Sequence, residues 1–280
     1  MQSRRGRLAL GVPIVAVALF CSAGVFGASA SAAHTSTPTH RVASGWAAPT
    51  PKGKPALDAT FTGTQLNTKV WDTCYPLQPI YNQGCRNFGN SEESEWYLPS
   101  QVKVSHGELQ LVARRVRTVG KNAAGKTVIY DCRSGMVTSY PGFKFEYGFV
   151  QVVADIPHAP GLWPALWLAA TNGKYPPEID ILESWGVSHQ TGVFFHPLHG
   201  PYVIRTLLPA SAAKGWKVYS LEWTKSKLVF YIGSKAELTV KTYIPHQAMY
   251  FIADLAEYVN PRPGYCTGDL LIRSVRIWKY

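Results

Sequence analysis

Three carboxylic acids fall within six residues of an otherwise aliphatic run, Glu178-Ile-Asp-Ile-Leu-Glu183. Ionised carboxylates are costly beside apolar groups, so three together point to acid/base chemistry, covalent catalysis or metal binding. On a helix, offsets of two and five residues would splay these side chains around the axis. On a strand, Glu178 and Asp180 share one face, while Ile179 and Ile181 share the other. Glu183 is then out of phase. One extra residue, a β-bulge around Ile181–Leu182, returns it to the face of the other two acids. Glu178 and Glu183 would then stand an effective four positions apart, roughly 13 Å between Cα atoms. Side chains leaning together close that gap to roughly 5–6 Å between carboxyls, the range of retaining glycosidases.

Aromatic residues flank the acids. Trp163 and Trp167 lie four residues apart in Gly161-Leu-Trp-Pro-Ala-Leu-Trp-Leu168 and share a strand face. Trp185 follows Glu183 by two residues. Sugars present apolar C–H faces, which suits aromatic platforms beside acids; the competing role for these rings is core packing. Trp216, Trp223 and Trp278 sit in strand patterns and are read as structural. His196, in Val193-Phe-Phe-His-Pro197, could hydrogen-bond an acid or a sugar, or satisfy a neighbouring carbonyl.

The elements that must hold these residues are strands. Glu108–Ala113, Tyr147–Ala154, Lys217–Trp223, Lys227–Ile232, Met249–Ala253 and Leu270–Trp278 alternate or run apolar between Gly, Pro and Asn turn signals. Residues 207–214 are the one passable helical stretch. Many short strands at close spacing predict an all-β sandwich or jelly roll.

Residues 1–33 read as a signal peptide: Arg4, Arg5 and Arg7 precede an apolar run from Leu8 to Phe26 and small-residue cleavage sites at Ala28-Ser-Ala30 and Ala30-Ser-Ala32. Residues 34–55, rich in Thr, Ser, Ala, Pro and Lys, read as a flexible leader, and 56–280 as one domain. A secreted protein is expected, without membrane attachment after cleavage. Removing the three arginines lowers the net charge from +11 to +8. The remaining basic residues are scattered, which argues against nucleic acid as a partner. Cleavage also leaves four cysteines, Cys74, Cys85, Cys132 and Cys266. Two disulfides are expected in an oxidising compartment, with three possible pairings. Cys74 and Cys85 bracket a short turn-rich loop, so 74–85 with 132–266 is preferred. No Cys/His spacing matches a zinc site.

These motifs resemble glycoside hydrolase family 16, the family of laminarinases, lichenases, agarases and carrageenases. The likeness covers most of residues 56–280. It rests on Glu178–Glu183, on Gly161-Leu-Trp-Pro-Ala-Leu-Trp167, on Ser134-Gly135, Tyr147-Gly148 and Pro157, and on Tyr219–Trp223, Ala253-Asp-Leu-Ala256 and Val275–Ile277. The six-residue spacing is similar to the bulged, laminarinase-containing subgroup. The resemblance implies a β-jelly roll of two curved antiparallel sheets with an open cleft, and endo-acting, retaining hydrolysis of a β-linked polysaccharide such as β-1,3- or β-1,3-1,4-glucan. It implies Glu178 as nucleophile, Glu183 as general acid/base and Asp180 as the assisting carboxylate. Trp163, Trp167 and Trp185 are read from their spacing as substrate contacts, and His196 resembles a family histidine on the strand next to the acids, also read as a substrate contact. At the cleft edge the resemblance adds Asn90 and Glu95, with Glu92 and Glu93 read as a solvated loop. A monomer without a cofactor is expected. Other readings are a family relative acting on another polysaccharide, a transglycosylase, or a non-catalytic carbohydrate-binding protein.

Three departures bear on this resemblance. Met136 stands where many β-1,3-glucanases carry Arg. Gln151 and Val153 stand where Glu and Arg are common. Thr60 before Phe61, and Arg273, replace acids of the family's frequent calcium site, so no tightly bound calcium is expected and no metal ligands are assigned.

Overall fold

A computed structural model describes residues 48–89, 91–185, 190–259 and 266–280. Residues 1–47, with the expected signal peptide and most of the expected leader, and Asn90 lie outside the described residues. Within them, no helix is long and apolar enough to cross a membrane.

The strands in chain order are β1 (Leu57–Ala59), β2 (Cys85–Arg86), β3 (Glu95–Tyr97), β4 (Val102–Ser105), β5 (Glu108–Lys121), β6 (Thr127–Ser134), β7 (Met136–Thr138), β8 (Gly148–Asp155) and β9 (Leu162–Ala170). They continue as β10 (Glu178–Trp185), β11 (Gln190–His196), β12 (Ile204–Pro209), β13 (Trp216–Trp223), β14 (Leu228–Ile232), β15 (Lys235–Val240), β16 (Met249–Glu257) and β17 (Thr267–Lys279). One sheet orders β15-β14-β13-β8-β17-β5-β6-β3-β2, with β1 and β4 added beside β17 and β5. The other orders β12-β11-β10-β9-β16-β7. The named pairings are antiparallel except β3 with β6. The expected all-β jelly roll is the observed architecture. The stretch 207–214 is not helical: it completes β12 and then makes a 3₁₀ turn over Ala210–Ala213.

Alternation on β9 explains how the layers divide. Leu162, Leu166 and Leu168 enter the main core between the sheets, while Ala165, Trp167 and Ala169 join a second apolar cluster on the opposite face. β16 does the same, with Phe251, Ala253 and Leu255 on one side and Tyr250 and Ile252 on the other. Both strands are therefore buried throughout, β9 with apolar residues alone and β16 with Asp254 and Glu257 as its acids, as strands covered on two faces should be.

The disulfides are Cys74–Cys85 and Cys132–Cys266. The second ties the end of β6 to the start of β17; the first closes the loop that carries Tyr75.

Residues 48–55 are not a free leader. Ala48 packs with Val153 and Val218. Gln151 Nε2 donates to Thr50 Oγ1 at 3.1 Å, and Trp278 Nε1 donates to the Gly53 carbonyl at 3.0 Å. The packed chain thus begins at or before Ala48. This segment covers the two β8 positions, Gln151 and Val153, that depart from the family's charged residues. Neutral side chains suit a covered site, where unpaired charges would be costly.

Candidate active site

Strand β10 carries the acids, and its core face fixes their direction. Ile179, Ile181 and Leu182 are all fully buried in the main core. Each such side chain contributes about 1.5–3 kcal/mol, and a one-residue slip would exchange them for the acids. Consecutive core positions at 181 and 182 require a break in the two-residue period. The break is there: the pairing with β11 shifts register between Asp180 and Glu183, and that with β9 between Asp180 and Leu182. This is the bulge expected from the acid spacing. Glu178, Asp180 and Glu183 accordingly line one cleft of about 740 Å³.

Directly paired residues share a sheet face, so the pairings define rows across the cleft floor. One row runs His196, Glu178, Ala169, Tyr250. The next runs Arg205, Phe194, Asp180, Trp167, Ile252. The third runs Gly192, Glu183, Ala165, Asp254, Met136. The small residues at 165 and 192 leave room on either side of Glu183. A Cβ on Gly192 would lie 2.6 Å from Phe194 Cζ and 3.0 Å from the Thr206 carbonyl.

Aromatic rings bound the acids at both ends. Trp163 contacts Tyr258 and Trp185, and Trp185 contacts Phe194, all edge to face with centroids 5.0–5.7 Å apart. At the Glu178 end, His196 lies between Tyr175 and Tyr202, with centroids at 5.6 and 5.5 Å. Trp163, Trp167, Trp185 and His196 all line the cleft. Trp167 does so with its N–H committed to Asp254 Oδ1 at 2.6 Å. Trp223 and Trp278 are buried away from it, and Trp216 is covered by the Arg273 guanidinium at 3.7 Å.

Burial dominates the electrostatics. It raises the Glu183 pKa to about 8; the Trp163 N–H, donated to Glu183 Oε1 at 3.1 Å, opposes the rise and the Asp254 charge adds to it. Glu178 is pushed well up by burial and then by Glu183 and Asp254. Asp180 is pushed up by burial, then by Glu178, Glu183 and Asp254. Side-chain exposure separates this last pair, at 18% for Glu178 and 2% for Asp180. Of the two, the more exposed Glu178 gives up its proton more readily and the buried Asp180 holds its own more strongly. His196 Nε2 lies 3.6 Å from Asp180 Oδ2 and 3.9 Å from Glu178 Oε1. Burial lowers the His196 pKa, so the ring is neutral. The Tyr175 hydroxyl, 3.1 Å from Nδ1, can donate there and leave the ring proton on Nε2, facing the acids. Glu178, Asp180 and His196 present ligand atoms within 4.8 Å of one another and are the residues here that could hold a cation.

Asp254 was not singled out by the sequence. It lines the cleft two strands from Glu183, accepts from Trp167 and from the Tyr97 hydroxyl at 3.0 Å, and is raised by burial to about 7. Fully buried Met136 stands opposite it in register, so a thioether and not a cation faces this acid. The reading of Glu93 as solvated is corrected: it lines the cleft, and burial followed by Glu95 raises its pKa. Glu95 is corrected in the other direction. It is fully buried behind the wall, where its Oε2 accepts the Glu257 N–H at 2.7 Å. Tyr75, Phe88, Tyr175, Tyr202 and Arg205 also line the cleft. Their individual spacings carry no signal, because the loops and edge strand that bring them here are distant in sequence.

The sequence model for glycosyl hydrolases family 16 matches residues 90–255. The chain belongs to this family. It is 29% identical to the endo-1,3-1,4-β-glycanase ExsH of Rhizobium meliloti (strain 1021) over 213 residues, 71% of this chain and 45% of that protein. It is 31% identical to EglC, an endo-1,3-1,4-β-glycanase of the same strain, over 199 residues, 67% of this chain and 42% of that one. The chain thus spans less than half the length of these relatives. Among solved structures, the laminarinase catalytic domain of Thermotoga maritima MSB8 superposes with a TM-score of 0.67 at 22% identity, covering 81% of this chain and 98% of that one. The laminarinase of Flavobacterium sp. UMI-01 gives 0.64 at 26%, covering 81% and 100%.

Proposed function

We propose that this family 16 chain is a retaining endo-β-glycanase that hydrolyses β-1,3- or mixed-linkage β-1,3-1,4-glucan by double displacement. The bulge that returns Glu183 to the face of Glu178, with Asp180 between them, carries the reading. Glu178, the more exposed of the adjacent acids, attacks the anomeric carbon and forms a glycosyl-enzyme. Glu183, protonated up to about pH 8, donates to the departing oxygen and then takes a proton from the incoming water. Protonated Asp180 hydrogen-bonds Glu178 and holds its orientation. The aromatic rings at each end stack on neighbouring sugars. The glucan assignment is supported by the likeness to ExsH and EglC, both endo-1,3-1,4-β-glycanases.

The two disulfides and the basic-then-apolar N-terminus support export and work outside the cell. Nothing in the displacement needs a metal ion, so activity should survive chelation.

Release of reducing ends from a panel of β-glucans and β-galactans tests the assignment, with Glu178→Gln and Glu183→Gln alongside wild type. Wild type should cleave a β-glucan internally, and each variant should lose about 10²–10⁴-fold. Wild-type rates in Glu178→Gln would overturn the nucleophile assignment.

A further inference from the structure

Arg205 is the one arginine or lysine among the described residues that line the cleft. It lies on β12, the edge strand of the six-stranded sheet, and its side chain is exposed. Among the described residues it has no ion pair. Its partner in register is Phe194, whose own partner on the next strand is Asp180. Arg205 therefore stands in the Asp180 row, two strand spacings or about 10 Å away. At that distance a side chain meets a neighbouring sugar and not the one being cleaved. Phe194, the register partner of Arg205, and Tyr202, three residues before Arg205 in sequence, also line the cleft. Carboxylates occupy the other end: Glu92 and Glu93 line it, and their segment bonds to β16 and its extension. Charge along the cleft is thus asymmetric, with a guanidinium at the β12 end and acids elsewhere.

We propose that Arg205 binds an anionic substituent, a carboxylate or a sulfate ester, on a sugar at the β12 end of the cleft. The substrate class is then an acidic or acidically substituted β-glycan. This deepens the glycanase reading and rests on it. A planar guanidinium presents paired donors that match such oxyanions, and the adjoining aromatic rings hold the sugar that carries them. Glu92, exposed on the cleft rim at the β16 end, would repel the same group, so the charge also fixes which way the chain lies.

The test uses oligosaccharides of mixed-linkage β-glucan and the same oligosaccharides lightly carboxymethylated, titrated into the full chain carrying Glu178→Gln. The carboxymethylated probe should bind about tenfold tighter, the scale of one charge-assisted hydrogen-bonded contact. Adding Arg205→Gln should remove the preference, and Arg205→Lys should retain part of it, with the melting temperature of each checked against the parent. Equal binding of both probes overturns the inference. A preference that persists in Arg205→Gln overturns it too, because the attraction then comes from the protein's overall positive charge. Hydrolysis of the unmodified glucan by wild type separates the two readings: cleavage with no charge preference removes only the Arg205 assignment. Failure of both probes to bind removes the glucan reading together with it.

Discussion

The Trp163 indole N–H donates to Glu183 at 3.1 Å, from a ring that also lies edge to face with Trp185. One side chain thus forms part of the proposed sugar platform and holds the proposed general acid. The bond favours the ionised carboxyl and so limits how far burial raises Glu183. Trp163→Phe keeps a ring and deletes the donor. The alkaline limb of the kcat/KM–pH profile should move up, and kcat should fall about tenfold, the order of one hydrogen bond to a charged group. A profile that does not move contradicts this role.

Asp254 acts in the opposite sense. Its charge adds to the upward shifts of Glu178, Asp180 and Glu183. Asp254→Asn preserves an acceptor for Trp167 while removing that charge. The alkaline limb should then move to lower pH. An upward move would show that the burial and bonding of Asp254, and not its charge, dominate.

Stability should depend on pH in an unusual direction. Glu183 and Glu95 hold their protons to about pH 8 and Asp254 to about 7, whereas the unfolded chain releases them near pH 4. The native state therefore binds more protons across that interval. By linkage, stability is fully present below about pH 4 for these groups and falls as pH rises through about 7–8. Thermal melts in one buffer series should show Tm highest in mild acid and declining toward pH 9. Asp254→Asn should flatten the decline. A Tm that climbs from pH 5 to 8 would contradict the buried-acid account.

The two disulfides should differ in effect. Cys132–Cys266 joins strands of the larger sheet 134 residues apart in sequence, and replacing both cysteines by Ala should cost about 2–5 kcal/mol in denaturant unfolding. Cys74–Cys85 closes a short loop whose Tyr75 lines the cleft. Its removal should raise KM more than it lowers Tm. Equal effects on both quantities for the two pairs would count against this division.

The sequence made the site's axis legible because that axis is local. Glu178, Asp180 and Glu183 lie on one strand, and the conflict between their spacing and a two-residue period located the bulge at Ile181–Leu182. Trp163 and Trp167 were legible for the same reason. Asp254, Glu93 and Arg205 were not. Their positions depend on β16 lying beside β9, on a loop bonding to β16, and on β12 pairing with β11. Alternation tells which face a side chain takes but not which strand comes next to it. Glu95 misled because the resemblance puts an acid before Trp96-Tyr97 at the cleft edge, whereas β3 here is fully buried. Residues 48–55 misled because their composition is that of a linker, and their anchors, Gln151 and Trp278, are remote in sequence.

The central claim is that Glu178 and Glu183 act together by double displacement. Proton NMR of the anomeric signals in the first minutes of β-glucan hydrolysis tests it most directly. The account predicts that the new reducing end appears in the β configuration and only later mutarotates to α. An α signal that forms first would contradict it.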